Sequence, residues 1–340
     1  MNHIKNYDII KNDLKRENKI KLLKEIFLAR EITRKELSLK VNLSLSSVTR
    51  LMNELIEQRY IVKKKKVNDN RYGRKSEVFS VNKNKYKFFV VDLDVKNTIY
   101  GYGNFDGEVE ILKTVKTPET IKELLESIEH NIKLFDYKCD AISLSIPGII
   151  NLEKKFIINA PNLNWKNVSF SDYKNYNLII ENDSNLSILA EKIFSKKMQN
   201  VKNAAYILIK DGIGAGLMLE EKIYRGYRFS AGEIGHNIFK NDKKIQEFEK
   251  IKEENNKDFL DILALNISYA VNLLNLEKVI IGGKFINYQS EMFNKVKSKI
   301  LEYTFKECRD VEIILTEFNY VPASLAGACS NAILKYIESI

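Results

Sequence analysis

The first 82 residues carry a succession of helical and hairpin patterns that few folds accommodate. Apolar residues at helical spacing predict a first helix over about 15–30. Thr33 and Glu36 form a capping-box pair, in which each side chain satisfies a backbone N–H, so a second helix is expected to begin at Thr33. After a short turn, a third helix is predicted over about 45–58. Helices joined by a tight turn and followed by a basic hairpin are the elements of a winged helix-turn-helix.

The predicted third helix has one apolar face and one polar face. Its buried face is expected to hold Leu45, Val48, Leu51, Met52, Leu55 and Ile56. The exposed face is then formed by Ser46, Ser47, Thr49, Arg50 and Asn53. Small hydroxyl side chains at the start of a helix permit close approach to a groove, and Arg50 and Asn53 carry donors that read base edges or phosphates. We therefore expect these five residues to contact DNA.

Residues 59–82 predict a two-stranded wing with a basic tip. A strand leads into Lys63–Lys66, turn-forming residues follow, and Val78–Val81 resume the strand pattern. The basic residues expected to reach phosphates or a minor groove are Lys65, Lys66, Arg71, Arg74 and Lys75. Residues 1–83 are therefore interpreted as a winged helix-turn-helix domain, and its expected partner is double-stranded operator DNA.

Positive charge is concentrated in this N-terminal segment. The formal net charge of the 340-residue chain is +10, and residues 1–87 contain 23 Lys and Arg against 10 Asp and Glu, so the remaining residues carry about −3. A basic module on a mildly acidic body is typical of a nucleic-acid-binding protein. The alternative is a lysine-rich composition that has no binding role.

Composition argues against a membrane or secreted protein. No apolar run approaches the roughly 20 residues that span a bilayer, and the N-terminus lacks the apolar region of a signal peptide. A cytoplasmic location without membrane contact is therefore expected. Cys139, Cys308 and Cys329 are scattered and form no CxxC pair, which argues against a disulfide framework and against a cysteine zinc site.

From about residue 86 the pattern becomes α/β with an antiparallel start. Strands are predicted over 87–95, 98–105 and 109–117, followed by a helix over 119–134 and a strand over 141–146.

Several motifs in this region resemble the ROK family of repressors, open reading frames and sugar kinases. They are IPGII (146–150), APNLNW (160–165), END (181–183), DGIGAG (211–216), AGEIGH (231–236), VIIGGKF (279–285) and PASLAGACSNAIL (322–334). The resemblance implies a two-lobed actin-like ATPase core of the ribonuclease H-like type over 84–340. Its small lobe would span about 84–198 plus a C-terminal helix at about 322–340, and its large lobe about 199–321. The winged segment leading into GRKSEVFSVN (73–82) resembles the repressor branch, which includes xylose repressors.

The resemblance also implies a monosaccharide site. The family's sugar contacts fall on Asn182, Asp183, Glu233 and His236, whose carboxylates, amide and imidazole can accept or donate hydrogen bonds to vicinal hydroxyls. Further lining is expected from Asn162, Gly148 and Glu247. The alternatives are that Asp183 belongs to a turn or helix cap and that His236 is a polar core residue.

Departures from the family pattern argue against kinase activity. The Asp-x-Gly-Gly-Thr turn that admits phosphate in ROK kinases corresponds here to Asp92–Lys96, and a Gly-Thr pair in a second phosphate segment corresponds to Lys210 and Asp211. Anion sites of this kind need exposed N–H groups and no like charge, so poor ATP binding and no cofactor are expected. The three cysteines that usually bind zinc with the family histidine are missing after GEIGH, so no metal is expected either.

These observations predict a cytosolic, dimeric or tetrameric DNA-binding repressor with a monosaccharide effector and without enzyme activity. Sugar binding between the lobes would favour a closed state and change the spacing of two winged helices on a palindromic operator. Two alternatives stay open: an active ROK sugar kinase with a tethered winged helix, and a DNA-binding scaffold without an effector.

Overall fold

The chain folds as a winged helix-turn-helix followed by two α/β lobes. The structure, a computed structural model, describes residues 2–64, 77–136, 138–241, 244–251, 256–287 and 290–340. None of the helices in these ranges is long and apolar enough to cross a membrane.

The winged domain consists of three helices and a small antiparallel sheet. Its elements are α1 (Asn2–Ala29), β1 (Ile32–Thr33), α2 (Arg34–Val41), α3 (Leu45–Glu57), β2 (Ile61–Lys64) and β3 (Val78–Val81), and the strand order is β1-β3-β2. Thr33 caps α2 through the expected capping box, and Ser44 caps α3 by accepting from the backbone of Ser47. The predicted start of the first helix near residue 15 is wrong, because no proline or glycine interrupts residues 2–14 and the helical backbone ladder continues.

The small lobe is built on a five-stranded mixed sheet. Its elements are β4 (Lys87–Leu93), β5 (Asn97–Asn104), β6 (Val109–Lys116), α4 (Ile121–Leu134), β7 (Ala141–Ile146), β8 (Ile149–Asn151), β9 (Phe156–Ala160), β10 (Trp165–Ser169), β11 (Leu178–Asn182) and α5 (Asp183–Phe194). The strand order is β11-β7-β4-β5-β6, with β4, β7 and β11 parallel and β5 antiparallel to both neighbours. β8, β9 and β10 form a separate antiparallel sheet.

The large lobe repeats this topology. Its elements are β12 (Ala204–Ile209), β13 (Ile213–Leu219), β14 (Lys222–Tyr224), β15 (Ile238–Asn241), β16 (Lys244–Glu247), α6 (Asn256–Leu274), β17 (Lys278–Gly283), α7 (Ser290–Tyr303) and β18 (Glu312–Leu315). The C-terminal α8 (Ala323–Glu338) follows β18 and packs on the small-lobe sheet. The order β14-β13-β12-β17-β18 again combines an antiparallel meander with two parallel strands. Two sheets of identical topology confirm the predicted two-lobed core.

Helices α5 and α8 connect the parts of the molecule. They pack so closely that a Cβ on Gly327 would lie 1.9 Å from the carbonyl oxygen of Leu186. One apolar cluster runs from the winged domain through the small-lobe sheet to α8, and it includes Phe27, Phe88 and Ile337. The winged domain therefore shares a core with the lobe that carries it. The exact domain boundaries given above stay a prediction.

Candidate functional site

A cleft between the two lobes gathers most of the predicted sugar residues. Its volume, including the opening to solvent, is about 630 Å³. Six of the seven predicted residues line it: Gly148, Asn162, Asn182, Asp183, Glu233 and His236. The seventh, Glu247, is not in the lining, whereas Glu249 is. The assignment of these residues to sugar binding stays a prediction.

The N-terminus of α5 forms one wall of the cleft. Asn182 caps this helix, because its Oδ1 accepts from the backbone N–H groups of Ser184 and Asn185 at 2.9 and 3.0 Å. Its Nδ2 donates to the carbonyl oxygen of Gly148 at 3.0 Å. Asn182 is therefore the helix cap, and Asp183 is the first helical residue, where a carboxylate is favoured by the helix dipole.

The Asp183 carboxyl is buried beside a lysine. Its Oδ1 accepts from the Ser184 N–H at 2.8 Å, and its Oδ2 lies 3.7 Å from the Nζ of Lys210. Burial raises the pKa of Asp183 to about 6, while the Lys210 ammonium acts in the opposite direction and the Asp92 carboxylate adds to the rise. The group is therefore an acceptor for hydroxyl donors mainly above that pH.

The opposite wall is the segment that follows β14. Gly232 has φ +92°, and a Cβ there would lie 1.8 Å from the carbonyl oxygen of Ala215, so a glycine is required. Glu233 and His236 follow directly, and burial raises the pKa of Glu233 while His236 opposes the rise. The amide of Asn162 closes the cleft against Gly212, where an added Cβ would lie 2.6 Å from its Nδ2.

His236 stands among three carboxylates. Its Nε2 is 3.9 Å from Glu233, and its Nδ1 is 3.8 Å from both Glu247 and Glu249. The same oxygen of Glu247 also pairs with Lys250 at 2.7 Å. Within the described ranges, His236, Glu247 and Glu249 are the group whose potential metal ligands lie within 4.8 Å of one another. Three ligands fall short of a structural zinc set of four, and the expected absence of metal stays a prediction.

A second cleft adjoins the first on the other side of Lys210. Its volume with its opening is about 1080 Å³, and its lining includes Asp92, Asp94, Tyr206, Lys210 and Lys284. Asp94 lies in the turn between β4 and β5, where its Oδ1 accepts from the Val95 N–H at 2.8 Å. Lys284 pairs with Asp211, which lies in the turn between β12 and β13. Carboxylates and ion pairs thus occupy both predicted phosphate segments.

The exposed face of α3 carries the predicted base-reading residues. Ser46, Arg50 and Asn53 are exposed, and Ser47 and Thr49 are half-buried. The predicted burial of Leu45 is wrong: it is 52% exposed and lines a shallow groove with Ser46, Thr49, Arg50 and Asn53. As the first residue of α3, Leu45 precedes the turns that pack on α1 and α2. It adds an apolar side chain of the kind that contacts a thymine methyl.

The structure describes the base of the wing, residues 61–64 and 77–81, and does not describe residues 65–76 between them. Lys65, Lys66, Arg71, Arg74 and Lys75 lie outside the described residues. At the base, Lys63 and Arg34 both pair with Glu77, and Arg34 also donates to the Oδ1 of Asn53 at 3.4 Å. The wing is thereby linked to the face of α3.

Sequence reasoning missed three residues at these two sites. From the sequence, Lys210 is named only as part of an altered phosphate segment, Glu247 is selected rather than Glu249, and Leu45 is placed in the core. The signal for Glu249 was its position two residues after Glu247 in the segment following GEIGH.

Two family models match the chain. The ROK family model matches residues 91–251, and a winged helix-turn-helix DNA-binding model matches residues 15–62.

The chain is similar to named repressors. It is 33% identical over 236 residues to the xylose repressor of Caldicellulosiruptor bescii, an alignment that covers 66% of this chain and 59% of that protein. It is 27% identical over 324 residues to the xylose repressor of Staphylococcus xylosus, covering 91% and 81% respectively. In the first alignment the chain spans less than two thirds of the relative's length.

Solved structures share the fold. A ROK family transcriptional regulator, a homologue of the E. coli MLC protein, superimposes with a TM-score of 0.77 at 20% identity over 96% of this chain and 98% of that chain. A ROK family glucokinase from Streptomyces griseus, in complex with glucose and AMPPNP, gives a TM-score of 0.61 at 16% identity over 72% and 98%. The two family matches identify a ROK family domain at residues 91–251, behind an N-terminal winged helix-turn-helix at residues 15–62.

Proposed function

We propose that this protein is a sugar-responsive DNA-binding transcriptional regulator that represses carbohydrate-utilisation genes, with D-xylose as the first candidate effector. The observation that carries the proposal is the presence, in one chain, of an interlobe cleft around Asp183 and an exposed polar face on α3. The cleft offers carboxylates, an amide and an imidazole to a polyol, and the helix offers donors to base edges. The names of the xylose repressors to which it is similar support this choice of effector.

We further propose that the protein does not transfer phosphate. The resemblance to ROK kinases implies that Asp183 corresponds to their general base, but a base without a phosphoryl donor does no chemistry. In the second cleft the Asp94 carboxylate would repel a triphosphate, and the Lys284 ammonium is already paired with Asp211. Turnover with Mg-ATP and any monosaccharide should stay at background, and a rate in the usual enzyme range of about 1–1000 per second would overturn this part.

We propose a dimer or tetramer as the DNA-binding form, since two winged helices match a two-fold symmetric operator. Analytical ultracentrifugation with and without DNA tests this, and a monomer in both conditions would contradict it.

The direct test of the effector is a thermal-shift panel of free and phosphorylated monosaccharides, followed by calorimetry of each sugar that binds. We expect Asp183→Asn to reduce the affinity for D-xylose at least about tenfold, which corresponds to roughly 1.4 kcal/mol, because it removes the charge that strengthens bonds from sugar hydroxyls. A chain that binds no monosaccharide in the panel would be the scaffold alternative instead.

A further inference from the structure

Lys210 joins the two lobes at the floor of the sugar cleft. It follows β12 of the large lobe, and its Nζ lies 3.3 and 3.2 Å from the two carboxylate oxygens of Asp92 on β4 of the small lobe. Asp92 also accepts from the Oγ of Ser145 at 2.6 Å. The Lys210 side chain is only 14% exposed, so this ion pair is shielded from water. It spans the two sheets whose closure would enclose a ligand.

The same ammonium faces the predicted sugar-binding carboxylate. The separation of 3.7 Å between Nζ and the Oδ2 of Asp183 is that of an ion pair and exceeds hydrogen-bond length. Lys210 lines both clefts, so it lies at the boundary between them. An ammonium carries three donors, and a sugar hydroxyl both donates and accepts. A hydroxyl beside both groups can therefore donate to Asp183 and accept from Lys210.

We propose that Lys210 is a further sugar-binding residue, which donates to the same hydroxyl that Asp183 accepts from and holds the two lobes together around the ligand. This inference rests on the proposed function, because it assigns a second contact in the same cleft. It also gives the substitution at position 210 a role in binding, because the side chain places a shielded cation beside Asp183.

The carboxylates around Asp183 explain why a cation is needed beside it. Asp183 is faced by Asp92 and Asp94 from the small lobe, by Glu233 from the opposite wall, and by Lys210. Lys210 is the cation among these named groups. Burial lowers the pKa of Lys210, but the carboxylates of Asp92, Asp183 and Asp94 more than offset this, so the ammonium stays protonated. Without it, Asp183 would hold its proton to a higher pH and lose strength as an acceptor.

The test is calorimetry of D-xylose binding to the full chain between pH 5.5 and 8.5. In the wild-type protein the affinity should fall below about pH 6, where Asp183 takes up a proton. Lys210→Met should reduce the affinity at least about tenfold at pH 7.5. In the same variant, the loss of affinity on acidification should begin at a higher pH than in wild type. Lys284→Met is the matched control, because Lys284 lines only the second cleft and pairs with Asp211; it should change neither quantity.

A double-mutant cycle separates a shared hydroxyl from two independent contacts. The losses in Lys210→Met and Asp183→Asn should be less than additive in the combined variant if both groups bind one hydroxyl. If Lys210→Met fails to fold because Asp92 is left unpaired, the Asp92→Asn/Lys210→Met double variant removes both charges and should still show the reduced affinity.

The outcomes distinguish this inference from the proposed function. Wild-type protein that binds no monosaccharide would overturn the proposed function and this inference with it. Wild-type protein that binds D-xylose, with Lys210→Met matching Lys284→Met in affinity and pH profile, would overturn the role of Lys210 alone.

Discussion

The guanidinium of Arg30 in the winged domain lies 4.7 Å from the ring centroid of Phe194 in the small lobe. Arg30 also donates through Nη1 to the carbonyl oxygen of Asp106, in the turn between β5 and β6. Phe194 is the last residue of α5, and Asp183 is the first. One helix thus has the candidate sugar site at its N-terminus and the winged domain at its C-terminus, which gives a direct mechanical connection between them.

The first prediction concerns this connection. Arg30→Met removes a cation–π contact of about 0.5–2 kcal/mol together with a hydrogen bond, while it keeps a long apolar side chain. We expect the change in DNA affinity caused by D-xylose to shrink several-fold, and the affinity for D-xylose itself to stay within about twofold of wild type. Fluorescence anisotropy with a DNA duplex selected by this protein from a random library, with and without sugar, measures the first quantity.

Arg59→Met is the matched control for that experiment. Arg59 also belongs to the winged domain, is exposed and has the same left-handed backbone as Arg30, with φ of 59° and 64° respectively. Its replacement should preserve the response to sugar. Equal responses in Arg30→Met and wild type would remove the Arg30–Phe194 contact from the coupling.

The second prediction concerns base reading by α3. Arg50→Ala and Asn53→Ala should each reduce the preference for the selected duplex over random DNA, because side chains that bond base edges contribute about 1–3 kcal/mol of discrimination. Competition binding measures this preference. Loss of affinity for both DNAs by the same factor would place these side chains on phosphates instead.

Neutralising the wing should have a different effect. Replacing Lys63–Lys66 by Gln should weaken binding to all DNA, and the slope of log K against log salt should flatten by about 0.9 for each phosphate that the variant no longer neutralises. Lys63 and Lys64 already pair with Glu77 and Glu31, so part of their charge is compensated within the protein. An unchanged salt slope would take the wing out of the interface.

The third prediction concerns a buried carboxyl on α5. Glu191 has no exposed surface, and its Oε1 accepts from the hydroxyl of Thr316 at 2.5 Å. Burial raises the pKa of Glu191 to about 7 from 4.5. Because the folded pKa exceeds the unfolded one, the folded state loses stability as the pH rises from about 4.5 through 7.

Glu191→Gln should therefore stabilise the protein at pH 8, by up to roughly 2–3 kcal/mol, and have little effect at pH 4.5. Urea unfolding at the two pH values measures the difference. Glu221→Gln is the control, since the pKa of Glu221 is lowered by its hydrogen bond from Lys192 and this variant should not gain stability on going to pH 8. A Glu191→Gln variant with the same stability difference from wild type at both pH values would contradict the argument.

Local patterns predicted much of the fold. The capping box at Thr33 and the succession of strands in the small lobe each depend on residues near one another in sequence, and the structure has them where expected. The burial of Leu45 was predicted wrongly because helical periodicity identifies the apolar face of a helix. It does not show at which residue of that face the contacts with neighbouring helices begin. The N-terminal extension of α1 was missed for a related reason, since residues 2–14 show little apolar periodicity.

The candidate site could be predicted only in part. The family resemblance supplied seven candidate residues, and six of them line one cleft. The contacts across the cleft could not be predicted, because they depend on how the two lobes meet. The pairing of Lys210 with Asp92 joins residues 118 positions apart, and no local pattern indicates it. Similarly, the choice between Glu247 and Glu249 depends on which way the chain turns at the end of β16, and a single sequence does not fix that direction.

The central claim is that sugar in the interlobe cleft changes DNA binding by the winged domain. The most direct measurement is the anisotropy-derived affinity for the selected duplex, with and without saturating D-xylose, in wild type and in Asp183→Asn. We predict that the sugar weakens DNA binding at least about tenfold in wild type and has little effect on Asp183→Asn at the same concentration, while the two proteins bind DNA equally without sugar. An unchanged affinity in wild type, or an equal change in both proteins, would contradict the account.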